Sequence, residues 1–159
     1  MDASTQACSI NKHLLIAADE SENTGRAVAY VAHMLGATKG YRISLINVVA
    51  IPPGDFFVSP EERKQWIETN ETKSRRVLEE CRETLIRAGV ERQSVELIAK
   101  TGAYQSIAEV ILKEAVQIGA GTIVLGRRGI SKKEEFIYGS TSNKILHSQK
   151  SCTALWVVE

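Results

Sequence analysis

Three glycines near the end of the chain have the spacing of a phosphate-binding loop. Gly126 and Gly129 are followed, nine residues later, by Gly139 and then Ser140. Gly126 comes directly after an apolar run, where a residue without Cβ lets the backbone turn sharply and a ligand come close. Gly129 allows the next turn to direct successive N–H groups at one anion. The pattern therefore predicts a site for a phosphate chain.

The residues that follow the third glycine could complete this site. Gly139 and Ser140 open a short predicted helix over residues 140–148, and the free N–H groups at a helix start attract negative charge. The Ser140 hydroxyl and the Thr141 N–H could each donate a further hydrogen bond. The spacing is neither that of a Walker loop nor that of a GxGxxG dinucleotide site. The alternative is that the glycines serve only as turn and cap residues.

The elements that must position this loop can be read from the apolar pattern. Five short apolar runs predict strands, and four longer amphipathic stretches predict helices. The strands are expected at residues 13–18, 42–49, 94–99, 122–125 and 153–158, and the helices at about 23–35, 61–86, 106–118 and 140–148. This alternation favours a doubly wound, five-stranded parallel sheet with helices on both faces, a three-layer Rossmann-like α/β sandwich.

In such a sheet the ligand binds beyond the carboxyl ends of the strands, where the strand order reverses. The residues that follow the strands are therefore the candidates: Asp19, residues 48–51, Gly102, and Gly126 onward. Asp19 is the only obvious carboxylate predicted at this edge. The three histidines do not cluster, and we expect surface or capping roles for His13, His33 and His147.

Composition excludes several classes of protein. The 159 residues suffice for one domain, with 43% hydrophobic and 25% charged residues, and such a chain folds without disulfides or metal. The formal net charge of +1, from 20 basic and 19 acidic residues, argues against nucleic-acid binding. We expect residues 1–11 to form a disordered tail and residues 12–159 to form the domain.

The compartment is predicted from what the sequence lacks. No apolar run approaches the roughly 20 residues that span a bilayer, and the first eleven residues lack the features of a signal peptide. Cys8, Cys81 and Cys152 are odd in number and far apart, which is typical of buried thiols in a reducing compartment. We therefore expect a cytoplasmic protein that does not bind membranes.

The glycine pattern resembles the ATP-binding branch of the universal stress protein family, which carries a Gly-x2-Gly-x9-Gly-Ser/Thr signature. The resemblance covers nearly the whole chain. The family's first strand ends in Asp before a Ser-Glu helix start, and its third strand is followed by Gly. The matching residues are Ala17 to Glu22, Asn47 to Val49, Gly102, and Cys152 to Val158. Two departures are Arg127, where the family has a small residue, and Thr153, where it has proline.

The resemblance implies the adenine nucleotide α-hydrolase-like form of the fold and a bound ATP, with AMP or ADP left open, held with Mg²⁺ or Mn²⁺. The implied nucleotide-binding residues are Ala17, Asp19, Val48, Leu125, Gly126, Arg128, Gly129, Gly139, Ser140 and Thr141. Asp19 would contact the ribose or the base edge, Val48 and Leu125 would line the adenine pocket, and Ala17 would supply backbone beside it. The glycine loop would hold the phosphates. Arg127, Lys132 and Lys133 could pair with phosphate or form a solvated charge cluster.

The last apolar run, residues 153–158, could lie at a sheet edge and would then need cover for its unpaired backbone groups. The resemblance implies a homodimer through this strand, with Trp156 as an interface or core residue. We identify no catalytic residue and no metal ligand. The leading interpretation is a regulatory ATP-binding protein with at most weak ATPase activity. The alternatives are a nucleotide-free dimeric scaffold and a slow ATP-hydrolysing or nucleotidyl-transfer enzyme.

Overall fold

A computed structural model describes residues 11–127, 144, 145, 147 and 153–159. These residues form a five-stranded sheet in which every pair of neighbouring strands is parallel, with helices on both faces. The predicted α/β fold is confirmed. None of the helices in this part of the chain is both long enough and apolar enough to cross a bilayer.

The elements lie where the apolar pattern predicts them, with ends that differ by at most three residues. The strands are β1 (His13–Ala17), β2 (Arg42–Ala50), β3 (Val95–Gly102), β4 (Thr122–Gly126) and β5 (Ala154–Val158). The helices are α1 (Glu22–Leu35), α2 (Pro60–Arg87) and α3 (Ile107–Ile118), with 3₁₀ turns at Gly54–Phe56 and Arg92–Ser94. Lys144, Ile145 and His147 are also helical, as predicted for residues 140–148.

The strand order is β3-β2-β1-β4-β5, so the order reverses between β1 and β4. The chain moves from β1 outward to β2 and β3, and then returns to β4 on the other side of β1. The last register pair between these two central strands joins Ile16 to Val124. The carboxyl ends of β1 and β4 beyond this pair therefore border the crevice where doubly wound sheets bind ligands.

Two apolar clusters form the core, one on each face of the sheet. Leu14 and Ile16 belong to the cluster with α1 and α2, whereas Leu15 belongs to the cluster with α3 and the buried Ile145. Side chains of a strand alternate between faces, so β1 can supply both clusters only because nearly all its residues are apolar. The central strands read as continuous apolar runs for this reason.

The buried face of α2 lies in the carboxyl-terminal half of the helix. The buried residues of the helix are Ser74, Val77, Leu78, Cys81 and Leu85. Ile67, in the amino-terminal half, is only half-buried. Burial raises the pKa of the Cys81 thiol to about 11, which agrees with an inert buried thiol. Cys8 and Cys152 lie outside the described residues.

The buried face of α3 consists of Ala108, Ile111, Glu114 and Ala115, while Ile107, next to the cap residue Ser106, is 42% exposed. One expectation is wrong. His13 was predicted at the surface but is 1% exposed, and its Nε2 lies 2.8 Å from Ser44 Oγ.

Candidate functional site

The turn after β1 holds Asp19 in place through hydrogen bonds. Its Oδ1 accepts from the Ser21 N–H at 2.9 Å, from the Thr24 hydroxyl at 2.9 Å, and from the Ser21 hydroxyl. The Asp19 N–H donates to Thr24 Oγ1 at 2.8 Å. Because three groups of the α1 start bind one carboxylate oxygen, the carboxylate is fixed at the carboxyl edge, where the sequence predicted it.

Asn47 supports this turn from the neighbouring strand. Its Nδ2 donates to the Ala18 carbonyl at 2.6 Å, and the Ala18 N–H donates to the Ile46 carbonyl at 2.8 Å. The side chain is buried, so the hydrogen bond lies in an apolar environment where it has little competition from water. Sequence reasoning assigned Asn47 no role, although an amide inside an apolar strand was a visible signal.

Ala17, Val48 and Leu125 form an apolar floor at this edge. All three belong to the α3 side of the sheet, on β1, β2 and β4 respectively. Leu125 is buried, whereas Ala17 and Val48 are half-buried. The structure thus brings together the three apolar residues proposed for the adenine pocket, on one face and beside the Asp19 turn.

Gly126 has a packing role that the sequence did not reveal. It is the last residue of β4, and it is not among the described glycines with positive φ. A Cβ here would overlap the carbonyl oxygen of Asn23. The missing side chain therefore lets β4 approach the first turn of α1, and the sharp turn predicted at this glycine is not seen.

Arg127 follows Gly126 and continues the pairing with β5. Its N–H donates to the Val158 carbonyl at 2.7 Å, and its guanidinium pairs with the Glu159 carboxylate. The Arg127 side chain is only 13% exposed. The solvated charge cluster that was one of its two predicted roles is therefore excluded for Arg127.

The helical residues beyond the glycine loop are tied to the first turn of α3. Lys144 Nζ lies 3.2 Å from Glu109 Oε1 and donates to Ser106 Oγ at 3.0 Å, and Ile145 is fully buried in the α3-side cluster. These contacts fix the helix next to the carboxyl edge. Six predicted residues lie outside the described part of the chain: Arg128, Gly129, Lys132, Lys133, Gly139 and Ser140. Thr141 lies outside it as well, so the roles of all seven stay predictions.

Two further features lie at the end of β3 and at the opposite end of the sheet. A Cβ on Gly102 would lie 2.8 Å from the Tyr104 ring, so this glycine makes room for an aromatic side chain. A small cavity lies at the other end of the sheet, where Tyr41 and Ser94 line it, and it includes no predicted ligand-binding residue. No group of three or more metal-binding side chains occurs among the described residues.

Comparison with known proteins gives one family and a consistent set of structures. Residues 11–155 match the universal stress protein family. The hypothetical protein MJ0577 aligns with a TM-score of 0.74 and 21% identity over 94% of this chain and 96% of that one. A universal stress protein in complex with cAMP aligns with a TM-score of 0.65 and 16% identity, over 95% and 98% of the two chains.

A third structure, the universal stress protein from Archaeoglobus fulgidus in complex with dAMP, has a TM-score of 0.62 and 15% identity over 94% and 99% of the two chains. A search of curated proteins finds no match. At these identities the three structures establish the fold shared with this chain.

Proposed function

The chain belongs to the universal stress protein family, and we propose that it is a stress-response protein that binds an adenine nucleotide, with ATP as the preferred ligand. The observation that carries this proposal is the placement of the apolar floor (Ala17, Val48 and Leu125) and Asp19 together at the strand reversal. An apolar surface next to a fixed carboxylate is what a nucleoside requires.

The floor would take the adenine ring, with Val48 and Leu125 against its face and the Ala17 backbone beside it. Asp19 would accept hydrogen bonds from the ribose hydroxyls, since an ionised carboxylate is an acceptor with two oxygens. One Asp19 oxygen is bound by the α1 start, which orients the carboxylate before a ligand arrives. Asn47 would act as a positioning residue, because its side-chain amide binds the carbonyl of Ala18, the residue before Asp19.

The phosphates would lie over the glycine loop. We assign this contact to Gly126, Arg128, Gly129, Gly139, Ser140 and Thr141. Two described features support the assignment: β4 ends beside the crevice, and Lys144 contacts the cap residue of α3 at the same edge. A helix that begins close to that point would direct its free N–H groups at an anion. Mg²⁺ or Mn²⁺, held together with the phosphates at this loop, would offset their negative charge.

The two nucleotide complexes among the structural neighbours contain adenine nucleotides, which supports adenine as the base. We propose at most weak ATPase activity, because the carboxylates of Asp19, after β1, and Glu159, after β5, are already engaged. Asp19 accepts hydrogen bonds from Ser21 and Thr24, and Glu159 pairs with Arg127. Slow hydrolysis is compatible with such a site, because phosphoryl transfer depends mainly on positioning and charge.

One observation favours a second candidate, a nucleotide-free dimeric scaffold. Gly126 is explained by its contact with Asn23, and a glycine with a packing reason is not by itself evidence for a ligand. The two candidate functions differ in the role of Gly129 and Gly139, which bind phosphate in the first and serve only as turn and cap residues in the second.

The test is a calorimetric titration of ATP with Mg²⁺ into the wild-type chain, Gly139→Val and Asp19→Asn. Under the nucleotide proposal the wild type binds, Gly139→Val loses affinity while its melting curve remains cooperative, and Asp19→Asn binds about tenfold more weakly. Asp55→Asn, at an exposed position, is the matched control and should bind like the wild type. Absence of binding by the folded wild type would favour the scaffold.

We also propose that the protein is a homodimer paired through β5, with residues 12–159 as the domain and residues 1–11 as a tail. The position of β5 at the edge of the sheet supports the pairing. Asn11 donates to the Gly119 carbonyl at 2.7 Å, so the last residue of the proposed tail already contacts the domain.

A further inference from the structure

Arg127 and Glu159 are lateral neighbours at the ends of two paired strands. The β4–β5 register ends at Gly126 opposite Val158, and the Arg127 N–H continues it by donating to the Val158 carbonyl. The next residues on the two chains are therefore side by side. Their guanidinium and carboxylate form an ion pair.

This ion pair lies on the same side of the sheet as the apolar floor. Leu125 belongs to the α3-side cluster, whereas Gly126 faces α1 through its contact with Asn23. Because side chains alternate along an extended chain, Arg127 leaves the backbone on the side of Leu125. On β5, Leu155 belongs to the α3-side cluster, and the same alternation puts Glu159 on that side.

The two partners differ in their access to water. The Arg127 side chain is 13% exposed, whereas the Glu159 side chain is 77% exposed. A guanidinium that is mostly withdrawn from water requires an anionic partner. The carboxylate, in contrast, loses little when it moves into solvent, because it is already largely hydrated. Replacement of Glu159 by another anion therefore costs little free energy, provided that Arg127 stays paired.

We propose that Arg127 binds a phosphate group of the nucleotide and that Glu159 occupies the guanidinium in the empty protein as an internal competitor. This inference rests on the proposed nucleotide site. A phosphate carries more charge than a carboxylate and presents oxygens that match the forked guanidinium, so it displaces the glutamate. A nucleoside without phosphate leaves the ion pair intact.

The competition affects selectivity as well as affinity. Each nucleotide must displace Glu159 before it gains the Arg127 contact, so the ion pair lowers the affinity for phosphate-bearing ligands and leaves that for adenosine unchanged. The Glu159 carboxylate thereby raises the nucleotide concentration at which half of the sites are occupied. Removal of the carboxylate should lower this concentration.

The experiment is a calorimetric titration of ATP with Mg²⁺, and separately of adenosine, into the wild type, E159Q, R127Q and the double variant. E159Q should bind ATP about threefold more tightly, as expected for loss of a partly exposed ion pair, and R127Q about tenfold more weakly. Neither change should alter adenosine binding. In the R127Q variant, the additional E159Q change should leave the affinity for ATP unchanged.

The control is Glu91→Gln, which removes an exposed carboxylate 4.0 Å from Lys39 at the far end of the sheet. It makes the same change in net charge and should leave the ATP affinity unchanged. If E159Q binds ATP like the wild type or more weakly, the inference is overturned, because a purely structural ion pair would give that result. Should R127Q fail to fold, R127K replaces it and should bind ATP more weakly than the wild type.

The failure of this inference and of the proposed function give different results. A wild type that binds ATP, together with an unaltered E159Q, contradicts only the competition. A folded wild type that binds neither ATP nor adenosine contradicts the nucleotide site and removes the competition with it.

Discussion

At the scale of single residues, the turn after β1 is held by polar contacts in which each partner has a specific geometry. Asn47 donates to the Ala18 carbonyl, and Thr24 and Ser21 bind the Asp19 carboxylate. The buried amide has no substitute donor among these contacts, so its loss would leave the carbonyl without a partner. The turn should therefore be sensitive to changes at Asn47.

Asn47→Ala should lower the free energy of unfolding by about 1 to 3 kcal/mol, because it leaves a buried carbonyl unsatisfied. It should also weaken ATP binding, since the Asp19 turn loses its support. Urea denaturation and calorimetry measure the two effects. Asn70→Ala is the matched control, because the Asn70 amide bonds only within its own helix, to the Trp66 carbonyl; an equal loss of stability there would contradict the account.

His13 predicts a pH dependence of stability. Burial, followed by the positive charge of Arg42, lowers the pKa of His13 below its usual 6.5, while the Ile118 backbone and Glu96 act in the opposite direction. Because the folded state binds the proton less well than the unfolded state, the stabilisation is complete above about pH 6.5 and is lost as the pH falls through the lowered pKa.

His13→Gln should flatten the decline of stability below pH 6.5, because no buried imidazole then has to be protonated. The measurement is urea unfolding of both proteins between pH 7.5 and 5. His33→Gln changes an exposed histidine and should keep the wild-type decline. An equal decline in His13→Gln would show that other groups cause it.

At the scale of elements, two glycines near the start of α1 have opposite consequences for stability. Gly126 has no room for a Cβ because of the Asn23 carbonyl, whereas Gly25, in the first turns of α1, has nothing within 4 Å of that position. Gly126 allows β4 and α1 to approach each other, whereas Gly25 only weakens α1.

Gly126→Ala should lower the free energy of unfolding by about 1 to 3 kcal/mol, as overpacking does, because β4 and α1 must separate. Gly25→Ala should raise it by about 0.5 to 1 kcal/mol, since alanine favours the helix. Thermal or urea unfolding of the two variants measures both signs. A neutral Gly126→Ala would contradict the close approach described here.

The sequence predicted elements well where one local pattern decided the outcome. The apolar runs of β1 to β5 are such cases, because the spacing of apolar residues is decided within a few residues. His13 was placed outside because its partner, Ser44, is 31 residues away.

The site divides in the same way. Asp19 and Val48 were predicted from their positions at strand ends, whereas Leu125 was proposed from the family resemblance. The strand order brings the three residues to the same edge of the sheet. The Arg127–Glu159 pair and the Asn23–Gly126 contact were missed because they join residues that are far apart in the chain. A local sequence pattern contains no information about such contacts.

At the scale of the whole molecule, the two edges of the sheet differ. The edge strand β3 includes the charged residues Glu96 and Lys100, whereas β5 is apolar throughout. Charges are a common protection of an edge against pairing, and their absence from β5 supports the dimer proposed there.

Val157→Pro should convert the dimer into a monomer. The Ala154 N–H and the Val158 carbonyl point toward β4, so by alternation the Val157 N–H points outward, and proline removes it without breaking the β4–β5 ladder. Light scattering after gel filtration measures the mass. Trp156→Pro removes an inward N–H and should instead destabilise the fold; an unchanged mass for a folded Val157→Pro would contradict pairing through β5.

The central claim is that this chain binds an adenine nucleotide at the carboxyl edge of its sheet. Its most direct test is to denature the purified protein, identify any released nucleotide by chromatography, and follow the melting temperature while ATP with Mg²⁺ is added. We predict a released adenine nucleotide, or a saturable rise in melting temperature with ATP and not with GTP, because a ligand at 100 times its Kd adds about 2.7 kcal/mol of stability. No released nucleotide and no shift up to millimolar ATP would contradict the claim.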